Sequence, residues 1–303
     1  MSSLISCDYA QGYALYLDDH NSWWLTGCVD CFEFVSELAF IMRLNETSSD
    51  SLPKIIFCKT DYLTLNKSLN QNLDIHSLQE NGWVSYDYGK ICFWHHNDFP
   101  DIICEIRDYK NRYQKYTAMW MSLQSIYLHI MKTGGLPFHA ALIQSNNHGV
   151  LLAAEGEVGK STCCRRLPSH WQALCDDESL IVLNKSKEYR VHPFPTWSDY
   201  IIKRAENTWD VQRSIPLSAI FFIEQSETDE AISLSVNQAS IRITDSSVQA
   251  IKGNQTFEDN INHNLVMATI FNNSLDIAKL IPAFRLKVSL KGEFWKEIER
   301  VIS

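Results

Sequence analysis

Between positions 150 and 162 the chain carries a combination of residue types suited to holding a polyphosphate. An apolar run, Val150 to Ala154, leads into Glu155-Gly156-Glu157-Val158-Gly159 and then Lys160-Ser161-Thr162. That order predicts a strand, a glycine-containing loop and a helix, which is the arrangement of a phosphate-binding loop. The N–H groups at such a helix start attract anions, a lysine sits against the β- and γ-phosphates, and a hydroxyl suits a Mg²⁺ ion. Gly156, Glu157, Val158, Gly159, Lys160, Ser161 and Thr162 are therefore expected to hold ATP, with Ser161 as a ligand of Mg²⁺. Lys160 is expected to have no partner when nucleotide is absent. Ala154 stands where loops of this kind have glycine, and alanine resists positive φ, so the first turn must keep an ordinary backbone. Glu155 and Glu157 put two acids beside the triphosphate.

Sixteen positions after Lys160 comes Leu174-Cys175-Asp176-Asp177-Glu178, an apolar approach ending in paired carboxylates. Acid at the end of a neighbouring strand is what phosphoryl transfer needs for a metal and for the acceptor proton. Successive strand residues face opposite ways, so Asp176 and Asp177 can serve one site only where the strand ends or bulges. His139 lies in Gly134-Gly-Leu-Pro-Phe-His-Ala-Ala-Leu-Ile143, ahead of the loop.

These residues, in this order and at these separations over Leu136 to Leu183, resemble the catalytic core of the HPr kinase/phosphorylase family. His192-Pro-Phe-Pro-Thr-Trp-Ser198, Ile215-Pro-Leu-Ser-Ala-Ile-Phe-Phe-Ile-Glu-Gln225 and Phe294-Trp-Lys-Glu-Ile298 extend the likeness. They are similar to a divergent branch, the HPr-kinase-like proteins of SynChlorMet-type peptide-modification cassettes. The resemblance implies Asp176 as base toward the acceptor oxygen and as a Mg²⁺ ligand, Asp177 beside His139 as orienting groups, and Lys160 on the phosphates. It implies an acceptor hydroxyl on a Ser or Thr of a ribosomally made precursor peptide or a protein. The Glu-x-Arg-Gly signature of the kinase/phosphorylase proteins does not occur, which points to one-way transfer rather than phosphorolysis or HPr as substrate. Two alternatives remain open: a kinase of a small, amino-acid-like molecule, and a nucleotide-binding scaffold without transfer.

The expected fold is α/β with some α+β character: a P-loop core in residues 116–303 and a smaller mixed domain in residues 1–115 for substrate or partner recognition. Strands are predicted at Tyr13–Leu17, Lys54–Cys58, Trp83–Tyr88, Ile91–Trp94 and Ile102–Ile106, with a helix over Asp30–Arg43. Apolar spacing predicts one helix from Lys115 to Met131, closed by Gly134-Gly135. A hairpin turning at Asn146-Asn-His-Gly149 follows, then a short helix to Leu167, a hairpin across Asn184–Lys187, and a central strand at Leu217–Ile223. A helix near Asn264–Lys279, a strand at Phe284–Val288 and a helix from Gly292 to Ile302 complete the reading.

At 303 residues with 45% hydrophobic content the chain can bury a proper core, and its net charge of −9, without Lys/Arg clusters, speaks against nucleic acid. No run of eighteen apolar residues and no basic, apolar leader occurs, so a cytoplasmic protein away from membranes is expected. Nine scattered cysteines fit a reducing compartment. Cys28-Val-Asp-Cys31 lacks a second C-x-x-C and reads as incidental, and His95-His96 reads as a surface pair at a strand end.

Overall fold

The computed structural model describes residues 11–48, 51–59, 82–154, 159–203, 206–252 and 263–302. It is an α/β fold built on two mixed sheets. The first has the order β3-β1-β2-β4-β7-β6-β5, with β1 Gly12–Tyr16, β2 Ser22–Gly27, β3 Asn45–Glu46, β4 Lys54–Lys59, β5 Val84–Asp87, β6 Ile91–His95 and β7 Ile102–Ile106. Helix α1, Phe32–Ile41, buries Phe34, Val35, Leu38 and Ile41 against it.

Two helices join the sheets. α2, Arg112–Ser122, starts at Asn111, whose side chain accepts from the Gln114 N–H at 3.0 Å, while Gln114 accepts from the Lys110 N–H at 2.8 Å. This reciprocal cap satisfies donors that a helix start otherwise leaves unpaired. α3, Gln124–Lys132, follows after a break at Leu123, so the single helix expected from Lys115 to Met131 is two. Gly135 then brings the chain against the next sheet, where an added Cβ would lie 2.2 Å from the Ile181 carbonyl oxygen.

The second sheet contains β8 Leu136–Ser145, β9 His148–Ala153, β10 Gln172–Cys175, β11 Glu178–Leu183, β12 Tyr189–Phe194, β13 Ile215–Gln225, β14 Glu230–Ser233 and β15 Ala283–Val288. Its helices are α4 Lys160–Arg166, α5 Val236–Lys252, α6 His263–Leu280 and α7 Phe294–Ile302. Asn146 and Asn147 take φ of 47° and 64°, the paired left-handed geometry that closes a two-residue hairpin between β8 and β9. β13 is central, parallel to β9 on one side and β15 on the other. Pairing runs β8–β11–β12–β13–β9 and back to β8, so these strands form a continuous path that closes on itself. α4 and α7 cover one face through Cys163, Phe294 and Ile298, and α5 and α6 cover the other through Ala239, Ile243, Ile270 and Ile277. The layers are helix, sheet and helix, as expected when a mostly buried sheet must be shielded on both sides.

One apolar core runs through both sheets: Leu38, Ile41 and Met42 share it with Met119, Tyr127, Trp209 and Val211. Polar contacts follow the same seam, from Trp209 N–H to the Ile41 carbonyl at 2.8 Å, from Arg43 Nε to Thr208 Oγ1 at 2.7 Å and from Tyr16 N–H to Gln212 Oε1 at 2.9 Å. A chain beginning at Arg112 would leave these apolar side chains in water, each at a cost of about 1.5–3 kcal/mol. It is therefore expected to lose cooperative unfolding; a sharp urea transition with intact near-ultraviolet dichroism in that fragment would show the second sheet to be self-sufficient.

Candidate active site

The Asp pair sits where a strand is interrupted. β10 and β11 run one after the other along β8, with Cys175 opposite Leu142 and Glu178 opposite His139. Asp176 and Asp177 are the bend between them, and a register shift at Ala173/Cys175 marks the irregularity. The break lets both carboxylates reach one cleft, which a regular strand forbids. Its loose backbone groups are held by side chains: the Cys175 thiol donates to the Glu178 carbonyl at 2.9 Å, and Ser179 Oγ donates to the Ala140 carbonyl at 3.1 Å.

Lys160 is the first residue of α4, and Gly159 before it has φ of 121°, a conformation that favours glycine. Its ammonium is buried. Nζ lies 2.7 Å from His139 Nε2 and donates to the Ala154 carbonyl at 3.2 Å. The expectation of an unpartnered lysine is thus corrected: the ammonium rests between a ring nitrogen and the carbonyl at the end of β9. Because an ammonium only donates, His139 Nε2 must accept, which leaves the ring proton on Nδ1, 3.5 Å from Asp177 Oδ1. Burial and the Lys160 charge hold the His139 pKa below its ordinary value, against the pull of Asp177. Burial also lowers the Lys160 pKa, and Asp177 and Asp176 oppose that.

Asp176 has a different partner. Its Oδ1 accepts from Thr196 Oγ1 at 2.8 Å, and Thr196 is buried. A cleft of about 310 Å³ brings together His139, Gly159, Lys160, Ser161, Thr162, Asp176 and Asp177. Gly156, Glu157 and Val158 lie outside the described residues. No group of three His, Cys, Asp or Glu side chains close enough to hold a metal occurs among the described residues. Ser161 Oγ and the two carboxylates are hard oxygen donors on one cleft, a set that suits Mg²⁺ completed by water and substrate phosphate.

Behind the cleft stands a third carboxyl, next in sequence to the Asp pair. Glu178 is buried on the core side and accepts from Tyr127 OH at 3.0 Å. Burial raises its pKa well above the usual carboxylate range, Asp177 adds to the rise, and the Tyr127 hydrogen bond opposes it. A group that holds its proton in the folded chain but loses it when unfolded makes stability fall as pH rises above the unfolded value. Glu178→Gln mimics the protonated form. Its stability relative to the parent is expected to grow with pH from 5 upward, by as much as about 1.4 kcal/mol per pH unit. Urea midpoints that differ by a constant amount across that range would show Glu178 to be charged in the fold.

Other candidates resolve as structure. Among the described cysteines only Cys164 is partly exposed, and Cys28 and Cys31 are both buried. His95 is held at about 4 by burial and the Lys132 charge, and His96 packs against Phe99 with the rings tilted and their centroids 4.7 Å apart. Trp197 is buried, packed toward Tyr200. Thr196 was not identifiable as a partner of Asp176, because the two meet across β11 and β12 rather than at a local spacing. Among the described residues no helix is long and apolar enough to cross a membrane.

No curated protein matches the sequence. The family model for the SynChlorMet cassette protein ScmC matches residues 102–303, two thirds of the chain, including both helices that join the sheets and every strand of the second sheet. The chain belongs to the SynChlorMet cassette protein ScmC family.

Proposed function

We propose that the protein is an ATP- and Mg²⁺-dependent kinase that transfers the γ-phosphoryl group to a hydroxyl, a Ser or Thr of a ribosomally made precursor peptide or protein. The observation that carries this reading is the convergence of Lys160, Ser161, Asp176, Asp177 and His139 on one cleft at the start of α4. The likeness of these residues to the HPr kinase/phosphorylase core supports it, and membership of a cassette family fits a peptide-modifying role.

Phosphoryl transfer asks a protein mainly for position and charge. Lys160 leaves His139 and the Ala154 carbonyl to meet the β- and γ-phosphates, and the backbone N–H groups at the start of α4 face the same anion. Ser161 and Asp176 would hold Mg²⁺, which when bound would neutralise phosphate charge. The acceptor oxygen attacks the γ-phosphorus, the bond to the β–γ bridging oxygen breaks, and ADP departs. The hydroxyl proton passes to the Asp176 carboxylate, which Thr196 orients. Asp177 keeps His139 in its Nδ1–H form, so that Nε2 can hold Lys160 between turnovers.

Mass spectrometry of candidate precursor peptides after incubation with Mg²⁺ and ATP tests the acceptor. A phosphorylated Ser or Thr is expected. Phosphate on a small amino-acid-like compound instead would identify a metabolite kinase, and tight nucleotide binding without transfer would identify a scaffold.

A further inference from the structure

A second cavity, of about 320 Å³, opens between β14, β15 and the first half of α5. Arg242, Arg285 and Gln238 bring donors to it, and Ile232, Leu234 and Ile241 form apolar walls. Ile241 is 57% exposed. Two guanidinium groups share one acid there: Arg242 NH2 lies 2.9 Å from Glu224 Oε1, and Arg285 Nε lies 3.7 Å from Glu224 Oε2. The buried Arg285 Nε makes no hydrogen bond. Lys287 is drawn away to Glu230 at 2.8 Å, so Arg242 and Arg285 together carry one positive charge in excess of Glu224.

We infer that this pocket binds the side-chain carboxylate of an acidic residue in a peptide, next to an apolar residue that rests on Ile232, Leu234 and Ile241. Guanidinium donors pair with carboxylates in a planar fork and with stronger, charge-assisted hydrogen bonds. The excess of one charge matches a monoanion. A phosphate dianion would be repelled more strongly than a monoanion by Glu224, which pairs with both arginines, and is disfavoured on that ground.

The backbone narrows the ligand further. Terminal carboxylates are captured by clusters of free N–H groups. Here Leu234 N–H goes to the Ala283 carbonyl at 2.9 Å, Ser235 N–H to Gln238 Oε1 at 3.1 Å and Gln238 N–H to Ser235 Oγ at 3.4 Å. Strand addition along β14 is also blocked, because the Ala231 N–H donates to Glu297 Oε2 at 3.0 Å and its carbonyl accepts from Arg300 at 3.2 Å. What remains is recognition by side chains.

Arg285 stands level with Phe222 on β13, which stands level with Ala153 on β9. The pocket's strand is therefore two strand spacings, roughly 10 Å, from the one that ends at the candidate active site. The inference goes beyond phosphoryl transfer and does not rest on it, since binding is read without nucleotide.

The test is a ligand-observed NMR titration of the full chain with acetyl-Leu-Glu-Leu-amide and acetyl-Leu-Gln-Leu-amide. The Glu peptide is expected to bind at least about tenfold more tightly than the Gln peptide and to weaken by a similar factor in Arg242→Gln and Arg285→Gln. Glu224→Gln removes the competing acid and is expected to tighten the Glu peptide. That opposite sign keeps the test decisive if an arginine variant is poorly folded. Equal binding of the two peptides, or no change in either direction among the variants, would overturn the site. Displacement of the Glu peptide by inorganic phosphate at lower concentration than by free glutarate would make it a phosphate site and overturn the carboxylate assignment.

Discussion

Asp176→Asn is expected to lower the rate of phosphoryl transfer by about two to four orders of magnitude, the usual contribution of a positioned general base. The Asn side chain still offers an oxygen to Thr196 Oγ1, which now donates to Asp176 at 2.8 Å, so the bend between β10 and β11 should keep its shape. ATP affinity should change far less than rate, because the loss falls on a step that occurs only in the transition state. Asp177→Asn should cost less, since that carboxylate acts through His139 at 3.5 Å rather than on the acceptor. Thr196→Val should also cost less and leave the metal requirement unchanged. If Asp176 serves mainly as a Mg²⁺ ligand, its variant will recover activity as the metal concentration rises, and that single titration separates the two roles. Full activity in Asp176→Asn would hand the base role to Asp177.

The second large effect belongs to Lys160. Exchange for methionine keeps most of the buried stem but removes charge-assisted hydrogen bonds to phosphate, each about 1.5–3 kcal/mol, so ATP should bind roughly ten- to a hundredfold more weakly. Transfer should fall below detection, because the same ammonium is placed where charge shifts in the transition state. Its ammonium also donates to His139 Nε2 at 2.7 Å and to the Ala154 carbonyl at 3.2 Å. Its loss leaves a buried acceptor unpaired, and Lys160→Met should therefore be less stable by about 1–3 kcal/mol. Calorimetry decides the assignment: unchanged ATP affinity would remove the segment around Lys160 from the nucleotide site.

Much of this candidate site is legible in the sequence. Asn146-Asn147 predicts the hairpin that sets β8 beside β9, and the apolar run of β13 predicts a central strand. Lys160, His139 and the Asp pair are identified by residue type and spacing, and the cleft holds all of them. What local pattern does not carry is how Asp176 and Asp177 come to share a cleft. That depends on β8 pairing with β10 and β11 in turn, a long-range fact that leaves a two-residue bend. Thr196 and Tyr127 are missed for the same reason, since each meets its acid only after strands and helices have packed. α5 escapes notice because Ser, Thr, Asn and Gln dilute its propensity; its burial of Ala239, Ile243 and Ile251 and its Ser235–Gln238 cap make it helical. β2 is passed over because Trp23, Trp24 and Leu25 are all buried and show no alternation. The proposed boundary near residue 115 falls inside α2, and the core continuous across it depends on contacts from residues 206–214 that no local window contains.

Phosphoryl transfer to a peptide is followed directly through the ³¹P resonances of ATP in the presence of Mg²⁺, the full chain and candidate precursor peptides. The γ-phosphorus signal is expected to decay as ADP and a phosphoester resonance grow together, the ester to appear only when a Ser or Thr peptide is present, and Asp176→Asn to slow all three changes alike. Release of inorganic phosphate with no ester, or ATP that stays intact with every acceptor offered, would contradict it.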